Sequence, residues 1–391
     1  MKPKPYWIFL FALALFARAL AGSGRPEIRF NPPDFVYLYE ANGGKGYYDA
    51  MLHFIGFVNR GKGEVTLESA TIDVVKEGRV LQRIFLDRKD LDEAAAKGSR
   101  IQANGLLKLY DVYFRSCLFL GEAARLSPTR ALAPGASLIS MRNYVTVRGT
   151  PDHFHVILRY KSGAQTVREV SAGLRAVMYE QANRLVFPVK GAWWVGGGSD
   201  PHSDHRWMTC EEFALDLGQV DREGATHGGD GTRLEDYYCF GREAMAAADG
   251  EVVAARDDLP DETSFLRRPS ESQDEYLERS AAFQAELVKK DVYLALGNYV
   301  VIRHPGDEYS CYAHLKSKSV RVRKGDAVRQ GQVIGKVGQS GNSTEPHLHF
   351  QVNDGPDPLY SRSKPVKFSN LRLFENPCDS FLHDGFLVRA E

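Results

Sequence analysis

The sequence predicts a chain dominated by β-structure, an N-terminal β-sandwich followed by a smaller antiparallel sheet domain that carries a short helical insertion. Three observations predict this. HFHVILRY, residues 153–160, alternates Phe154, Val156, Leu158 and Tyr160 against His155, Ile157 and Arg159, the period of a strand with one buried face. TIDVVKEGRVLQRIFL, residues 71–86, reads as two strands around a Glu-Gly turn. KGDAVRQGQVIGKVGQSGNS, residues 324–343, places Gly331, Gly335 and Gly338 among Val328, Val333 and Val337, as very short strands joined by tight bends require.

A length of 391 residues makes two domains the natural expectation. With 43% hydrophobic and 26% charged residues the chain has ample material for a folded core. Fifty basic residues balance fifty acidic ones, so the formal net charge is zero. That balance argues against a general nucleic-acid binder, which would carry a basic excess.

The chain opens on Lys2 and Lys4, then an apolar run from Tyr6 to Ala17, then Ala19-Leu20-Ala21, a small-x-small cleavage pattern. Residues 1–21 therefore read as a secretory signal, because the apolar run is shorter than the ~20 residues a spanning helix needs. The expectation is an exported protein with no spanning segment after signal removal. Its five cysteines (Cys117, Cys210, Cys239, Cys311, Cys378) form no dense framework and no CxxC pair. They read as small buried residues, and a cysteine-ligated zinc site is disfavoured.

Residues 22–188 are expected to form the sandwich, immunoglobulin-like in general character. ALAPGASLISM sets a Pro-Gly turn before a strand, and DRKDLDEAAAKGSRI, 87–101, reads as a short helix on a connection. WWVGGGSDPHSDHRW, 193–207, changes the texture, which places the boundary just before it, near residue 188. In the second domain, 189–370, strands are expected in EEFALDLGQV (211–220), GEVVAAR (250–256) and NYVVIRHP (298–305). Between the last two lies an insertion, about 257–297, whose second half from Ser272 to Lys290 has helix-forming composition. Residues 371–391 follow as a C-terminal extension.

Three places bear chemistry. In SGNSTEPHLHFQV, 340–352, strand alternation puts His347, His349 and Gln351 on one face and Leu348, Phe350 and Val352 on the other. Asp216, in FALDLG, is an acid with apolar flanks, costly to bury unless it is paired or holds a cation. A structural salt bridge is the plainer reading of that residue alone. His314 closes a strand in YAHLK and says nothing by itself. Two imidazoles and a carboxylate together, however, make a three-ligand set that leaves the fourth position of zinc to water, the pattern of a catalytic site.

HLH within GNSTEPHLHFQV, YAHL, and an upstream histidine before FALDLG together resemble the zinc-dependent endopeptidases of the LytM and lysostaphin type, peptidase family M23. EDYYCFGREAMAAADGEVV and KGDAVRQGQVIGKVGQSGNS resemble the surroundings of those motifs, and the resemblance covers roughly residues 193–370. It implies Zn2+ held by Asp216, by His349 and by a histidine upstream of Asp216. The upstream residue departs from the short spacing of the compact members, and three candidates compete. His205, eleven before Asp216, is favoured; His202 follows; His227, in His227-Gly-Gly-Asp230 after the strand, reads as a decoy. The resemblance also implies that His347 and His314 are not ligands but flank the metal-bound water and the scissile carbonyl. One imidazole would take a proton from a water acidified by zinc, and one would stabilise the oxyanion. Gln351 is placed to orient a ligand by a hydrogen bond.

The implied function is hydrolysis of amide bonds in peptidoglycan stem peptides or cross-bridges, in the periplasm or outside the cell, at the cell envelope. The partner is then peptidoglycan or another peptide substrate, with no nucleic acid. Two alternatives come from other classes. One is a non-catalytic envelope-binding or regulatory relative that keeps zinc for stability. The other is a lipoyl-like adaptor module, suggested by the glycine and valine pattern of 324–343 but lacking an evident carrier lysine and having no need of Asp216, His314, His347 and His349 together.

Overall fold

The structure, a computed structural model, describes residues 25–41, 45–109, 111, 119–121, 125–163, 166–268, 270–373, 376–377 and 381–391. The expected signal segment 1–21, and with it Cys117 and Cys378, lies outside the described residues. Two compact units are present. One is drawn from within Met1–Val36, Leu52–Asp111 and Arg115–Val177, the other from within Tyr37–Met51 and Met178–Glu391. Strands dominate both, as the sequence predicts.

In the first unit the Val65–Lys76 strand pairs antiparallel with Arg79–Leu86 on one side and His153–Ser162 on the other. The hairpin turns at Glu77 and Gly78, whose φ angles of 49° and 76° give the twist that a two-residue hairpin loop requires. Phe154, Val156 and Leu158 lie opposite Val74, Ile72 and Ala70, and all of them are fully buried. This is the buried row that the alternation of HFHVILRY predicts. The helix Arg88–Ala103 starts on a reciprocal cap. The Asp87 carboxylate accepts from the amides of Lys89 and Asp90 at 2.8 and 3.0 Å, and the Asp90 carboxylate accepts from the amide of Asp87 at 2.9 Å.

The second unit is built on one antiparallel sheet. Its consecutive members include Gly250–Arg256, Asn298–His304, Glu308–Leu315, Leu348–Asn353, Leu215–Gly218, Gly191–Gly197 and Leu387–Ala390. The strand expected over 211–220 is shorter, because Glu211–Ala214 turns, with the Ala214 amide donating to the Glu211 carbonyl at 2.8 Å. Residues after 371, expected to be an extension, supply Leu387–Ala390 as a strand of the same sheet, paired with Gly191–Gly197. The 324–343 block forms very short strands, Ala327–Val328 and Val333–Lys336, with Gly331 at a φ of 79°.

The register of this sheet decides which side chains meet. Opposed residues share a face, so Leu215, Phe350 and Tyr312 stand in one row and point into the core with Trp193, Leu217, Ile302 and Leu348. The next row, Asp216, His349 and Ala313, lies on the other face. The helix Gln273–Lys290 sits in the expected insertion and starts on Ser272, whose hydroxyl accepts from the Glu275 amide at 3.3 Å. Cys210, Cys239 and Cys311 are buried free thiols. Among the described residues no helix is long and apolar enough to cross a membrane.

Candidate metal centre

Asp216 is the hub of a cluster on the face of the sheet opposite the core. Its Oδ1 lies 3.0 Å from His349 Nδ1 and 3.3 Å from His347 Nε2, and its Oδ2 lies 3.2 Å from His205 Nε2. Asp216 and His349 come from neighbouring strands in direct register, so the sheet itself fixes their approach. His205 arrives from a 3₁₀ turn, Asp204–Trp207, and its ring stands edge-on to that of His349 with centroids 5.1 Å apart.

His314 reaches the cluster by a backbone irregularity. Simple alternation along Glu308–Leu315 would send Ala313 and His314 to opposite faces. The pairing shifts there, with Leu315 opposite Asn298 but Tyr312 opposite Val300, so two residues face one across the ladder. His314 takes a φ of 57°, the left-handed region that a residue with a Cβ adopts at a cost of about 1–2 kcal/mol. The bulge brings its ring to 4.8 Å from His347 and 5.8 Å from His349, centroid to centroid.

The hydrogen bonds on the far side of each ring fix its tautomer, since a carbonyl oxygen only accepts. His205 Nδ1 donates to the Ala214 carbonyl at 3.2 Å, and His314 Nδ1 donates to the Ser340 carbonyl at 2.8 Å. His347 Nδ1 donates to the Glu345 carbonyl at 2.8 Å. His349 Nε2 faces Gln351 Oε1 at 2.8 Å, and the Gln351 amide nitrogen is ringed by the carbonyl oxygens of Cys210 and Pro358 and by Asn353 Oδ1. That ring of acceptors sets the amide orientation, so His349 Nε2 is the donor. In their neutral forms His205, His347 and His349 therefore aim a nitrogen lone pair at the Asp216 carboxylate. Lone pairs facing a carboxylate at 3.0–3.3 Å need a proton or a cation between them.

The electrostatics agree. Burial works against a charge on Asp216, but His205 and His347 outweigh it and hold the carboxyl well below the usual carboxylate range. Burial disfavours protonation of His205, yet Asp216 raises its pKa to about 9. In the metal-free protein a proton on His205 thus does part of the work of a cation. Burial and the neighbouring His347 and His349 push His314 well below the ordinary imidazole range, so its ring is neutral.

Among the described residues, two groups of side chains offer ligand atoms within 4.8 Å of one another: His205, Asp216 and His349, and His314, His347 and His349. The donor set, imidazoles with a single carboxylate and outer partners on every ring, suits zinc. His202 belongs to neither group, although it lines a cavity of about 230 Å3 together with His205 and Asp216. His227 also stands apart, its ring packed 5.0 Å from Tyr237, while the Asp230 carboxylate accepts from Thr232 rather than pairing with it. The Asp216 cluster opens on a cavity of about 470 Å3, walled on one side by the Gln273–Lys290 helix.

Two contributors to the site escape the sequence reading. Gly197 lies so close that an added Cβ would meet His205 Cε1 at 3.0 Å and Asp216 Oδ2 at 3.2 Å. The run of three glycines at 196–198 is the signal for this close approach. Ser340 is the other. Its carbonyl orients His314, and its hydroxyl accepts from the Asn298 amide at 2.8 Å and donates to the Leu315 carbonyl at 2.7 Å.

Fold and cluster define a strand-built domain with a histidine and carboxylate centre of metal-binding character. Residues 278–361 match the model of Peptidase family M23, and the chain carries a domain of that metallopeptidase family. Cell division protein DipM of Caulobacter vibrioides is 39% identical over 70 residues, 18% of this chain and 11% of that protein. Peptidoglycan DD-endopeptidase ShyA of Vibrio cholerae is 45% identical over 70 residues, 18% of this chain and 14% of that protein. The chain thus spans only a small fraction of the length of these curated relatives. A solved zinc-containing peptidase from Vibrio cholerae aligns over 85% of each chain at 13% identity, with a TM-score of 0.28.

Proposed function

We propose that this chain is an exported zinc metallopeptidase that hydrolyses amide bonds in peptidoglycan stem peptides or cross-bridges. The observation that carries the reading is the convergence of three imidazole nitrogens on the Asp216 carboxylate at 3.0–3.3 Å, at the edge of a groove. In this reading His205, Asp216 and His349 hold the metal. Bound there, zinc would supply Lewis-acid polarisation and acidification of water.

The remaining chemistry belongs to the chain itself. Gln351 accepts from His349 Nε2 and keeps the other nitrogen of that ring turned inward. His314 and His347 each commit Nδ1–H to a backbone carbonyl, which leaves Nε2 of each ring to take or give a proton. They share two roles: removal of a proton from the attacking water and donation to the oxygen of the attacked carbonyl. The fixed tautomers spare these rings any reorganisation during proton transfer.

Relatives named peptidoglycan DD-endopeptidases support peptidoglycan as the substrate and the cell envelope as the location. Residues 189–370 act as the peptidase domain, and residues 22–188, an immunoglobulin-like sandwich in this reading, position the enzyme on the wall. Residues 1–21 act as the export signal. The test is incubation of purified peptidoglycan with the zinc-loaded protein, with released fragments identified by mass. Release that stops with EDTA and returns with added zinc supports the proposal. Intact peptidoglycan under all conditions contradicts it.

A further inference from the structure

Two tyrosines from far upstream reach the segment that carries His205. Tyr37 and Tyr39, on the strand Phe35–Glu40, belong to the second unit, and both rings are buried. Residues two apart on a strand share a face, so the two rings enter side by side. The Tyr39 ring meets Phe213 edge-on at 5.3 Å between centroids, and Tyr37 meets the same ring at 6.3 Å. The Arg206 guanidinium lies over both Tyr39 and Phe213, 4.9 and 5.0 Å from their centroids. Its charge is met by the Glu212 carboxylate at 3.1 Å, and Arg206 and Glu212 are both closed to solvent.

This stack touches both ends of the hydrogen bond that orients His205. Arg206 follows His205 in the turn Asp204–Trp207, and Phe213 precedes Ala214, whose carbonyl accepts from His205 Nδ1 at 3.2 Å. Arg206 bridges the two ends directly, since Nη1 donates to the Glu212 carbonyl at 3.4 Å as well as reaching its carboxylate. A guanidinium is held in one direction when its planar faces are engaged along with its N–H groups, and Tyr39 and Phe213 engage those faces. Asp216 and His349 are fixed by sheet register, whereas His205 sits on a turn and has more need of such support.

We infer that Tyr39 is a positioning residue for the metal ligand His205. Its ring locks Arg206 against Phe213 and so holds the His205 turn at hydrogen-bond reach of the Ala214 carbonyl. Tyr39 lies far outside residues 278–361, the stretch that matches the family model. The metal centre thus depends on a segment upstream of residues 189–370. The inference rests on the reading of His205 as a ligand, but not on cleavage.

Zinc affinity of the full chain is measured by competition with a chelator, alongside urea denaturation and release of peptidoglycan fragments. In the EDTA-treated protein, exchange of the His205 Nδ1 proton is followed by NMR. Tyr39→Leu, which keeps an apolar side chain but removes the aromatic face, should weaken zinc binding about tenfold and speed that exchange by a similar factor. Tyr39→Phe, whose ring keeps the same contacts, should hold both at wild-type values. Arg206→Lys keeps a charge beside Glu212 but loses the planar fork, so it should act as Tyr39→Leu does, and it decides the question if Tyr39→Leu does not fold. Leu158→Ala, in the buried core of the first unit, is a destabilised control that should leave zinc affinity unchanged. These results with no cleavage by the wild type support the positioning role and remove the peptidase. Unaltered zinc affinity and exchange in Tyr39→Leu and Arg206→Lys, or an equal loss in Leu158→Ala, overturns the inference even where the wild type cleaves.

Discussion

His349 Nδ1 stands 3.0 Å from Asp216 Oδ1, and the two residues are directly opposed on neighbouring antiparallel strands. The contact is a product of register. A slip of one residue would turn Asp216 into the core, where Leu215 and Leu217 now pack, and would dismantle the centre and the core together. The far nitrogen of His349 is fixed by Gln351 on the same strand, so one strand supplies both the inward nitrogen and its orienting group.

Metal retention is the first consequence. Purified protein should hold about one zinc per chain, and His349→Ala or Asp216→Ala should reduce it to a small fraction, since each removes one of three ligands. Elemental analysis of the gel-filtered variants checks this. Gln351→Leu, which leaves all three ligands in place, should weaken zinc binding ~10–100-fold, measured by competition with a chelator.

Zinc affinity should rise with pH. Burial lowers the pKa of His205, but Asp216 more than compensates and raises it to about 9, so below that pH metal binding must displace a proton from this ring. Displacement of one proton gives about a tenfold tighter apparent constant per pH unit between 6 and 8. Calorimetry in buffers of different ionisation enthalpy would reveal the released proton.

His314 offers a way to separate folding from chemistry. Its φ of 57° is one that glycine adopts without strain. His314→Gly should therefore keep the unfolding free energy within ~1 kcal/mol of wild type while lowering kcat ~10²–10⁴-fold with zinc retained. Urea denaturation and elemental analysis accompany the rate measurement.

His304 predicts an acid weakness remote from the cluster. Nδ1 donates to the Asp249 carbonyl at 2.8 Å, Nε2 meets Ser310 Oγ at 2.7 Å, and burial depresses its pKa. A histidine with a lowered folded-state pKa contributes fully above its unfolded value of about 6.5, and that contribution is lost as pH falls through the folded value. The urea midpoint of wild type should fall more steeply than that of His304→Asn between pH 7 and 5.

Much of this arrangement is legible in the sequence, for a physical reason. Strand alternation alone puts His349 and Gln351 on one face, and the same rule buries Phe154, Val156 and Leu158 in the first unit. Composition is enough to find the Gln273–Lys290 helix. What escapes is set by tertiary structure. The bulge that turns His314 towards His347 leaves no mark in YAHLK, because a one-residue shift depends on the partner strand. The role of the Ser340 carbonyl is hidden, since every residue has a carbonyl. Residues 371–391 read as an appendage because Leu387–Ala390 finds its partner Gly191–Gly197 nearly two hundred positions upstream.

The central claim is that His347 and His314 perform proton transfer beside a metal held by other residues. Mass analysis of fragments released from purified peptidoglycan by wild type, His347→Ala and His314→Ala, each with its zinc content measured, tests it most directly. The account predicts fragments from the wild type and ~10²–10⁴-fold slower release by both variants at undiminished zinc. Equal release by wild type and His347→Ala, or loss of zinc in step with loss of release, would contradict it.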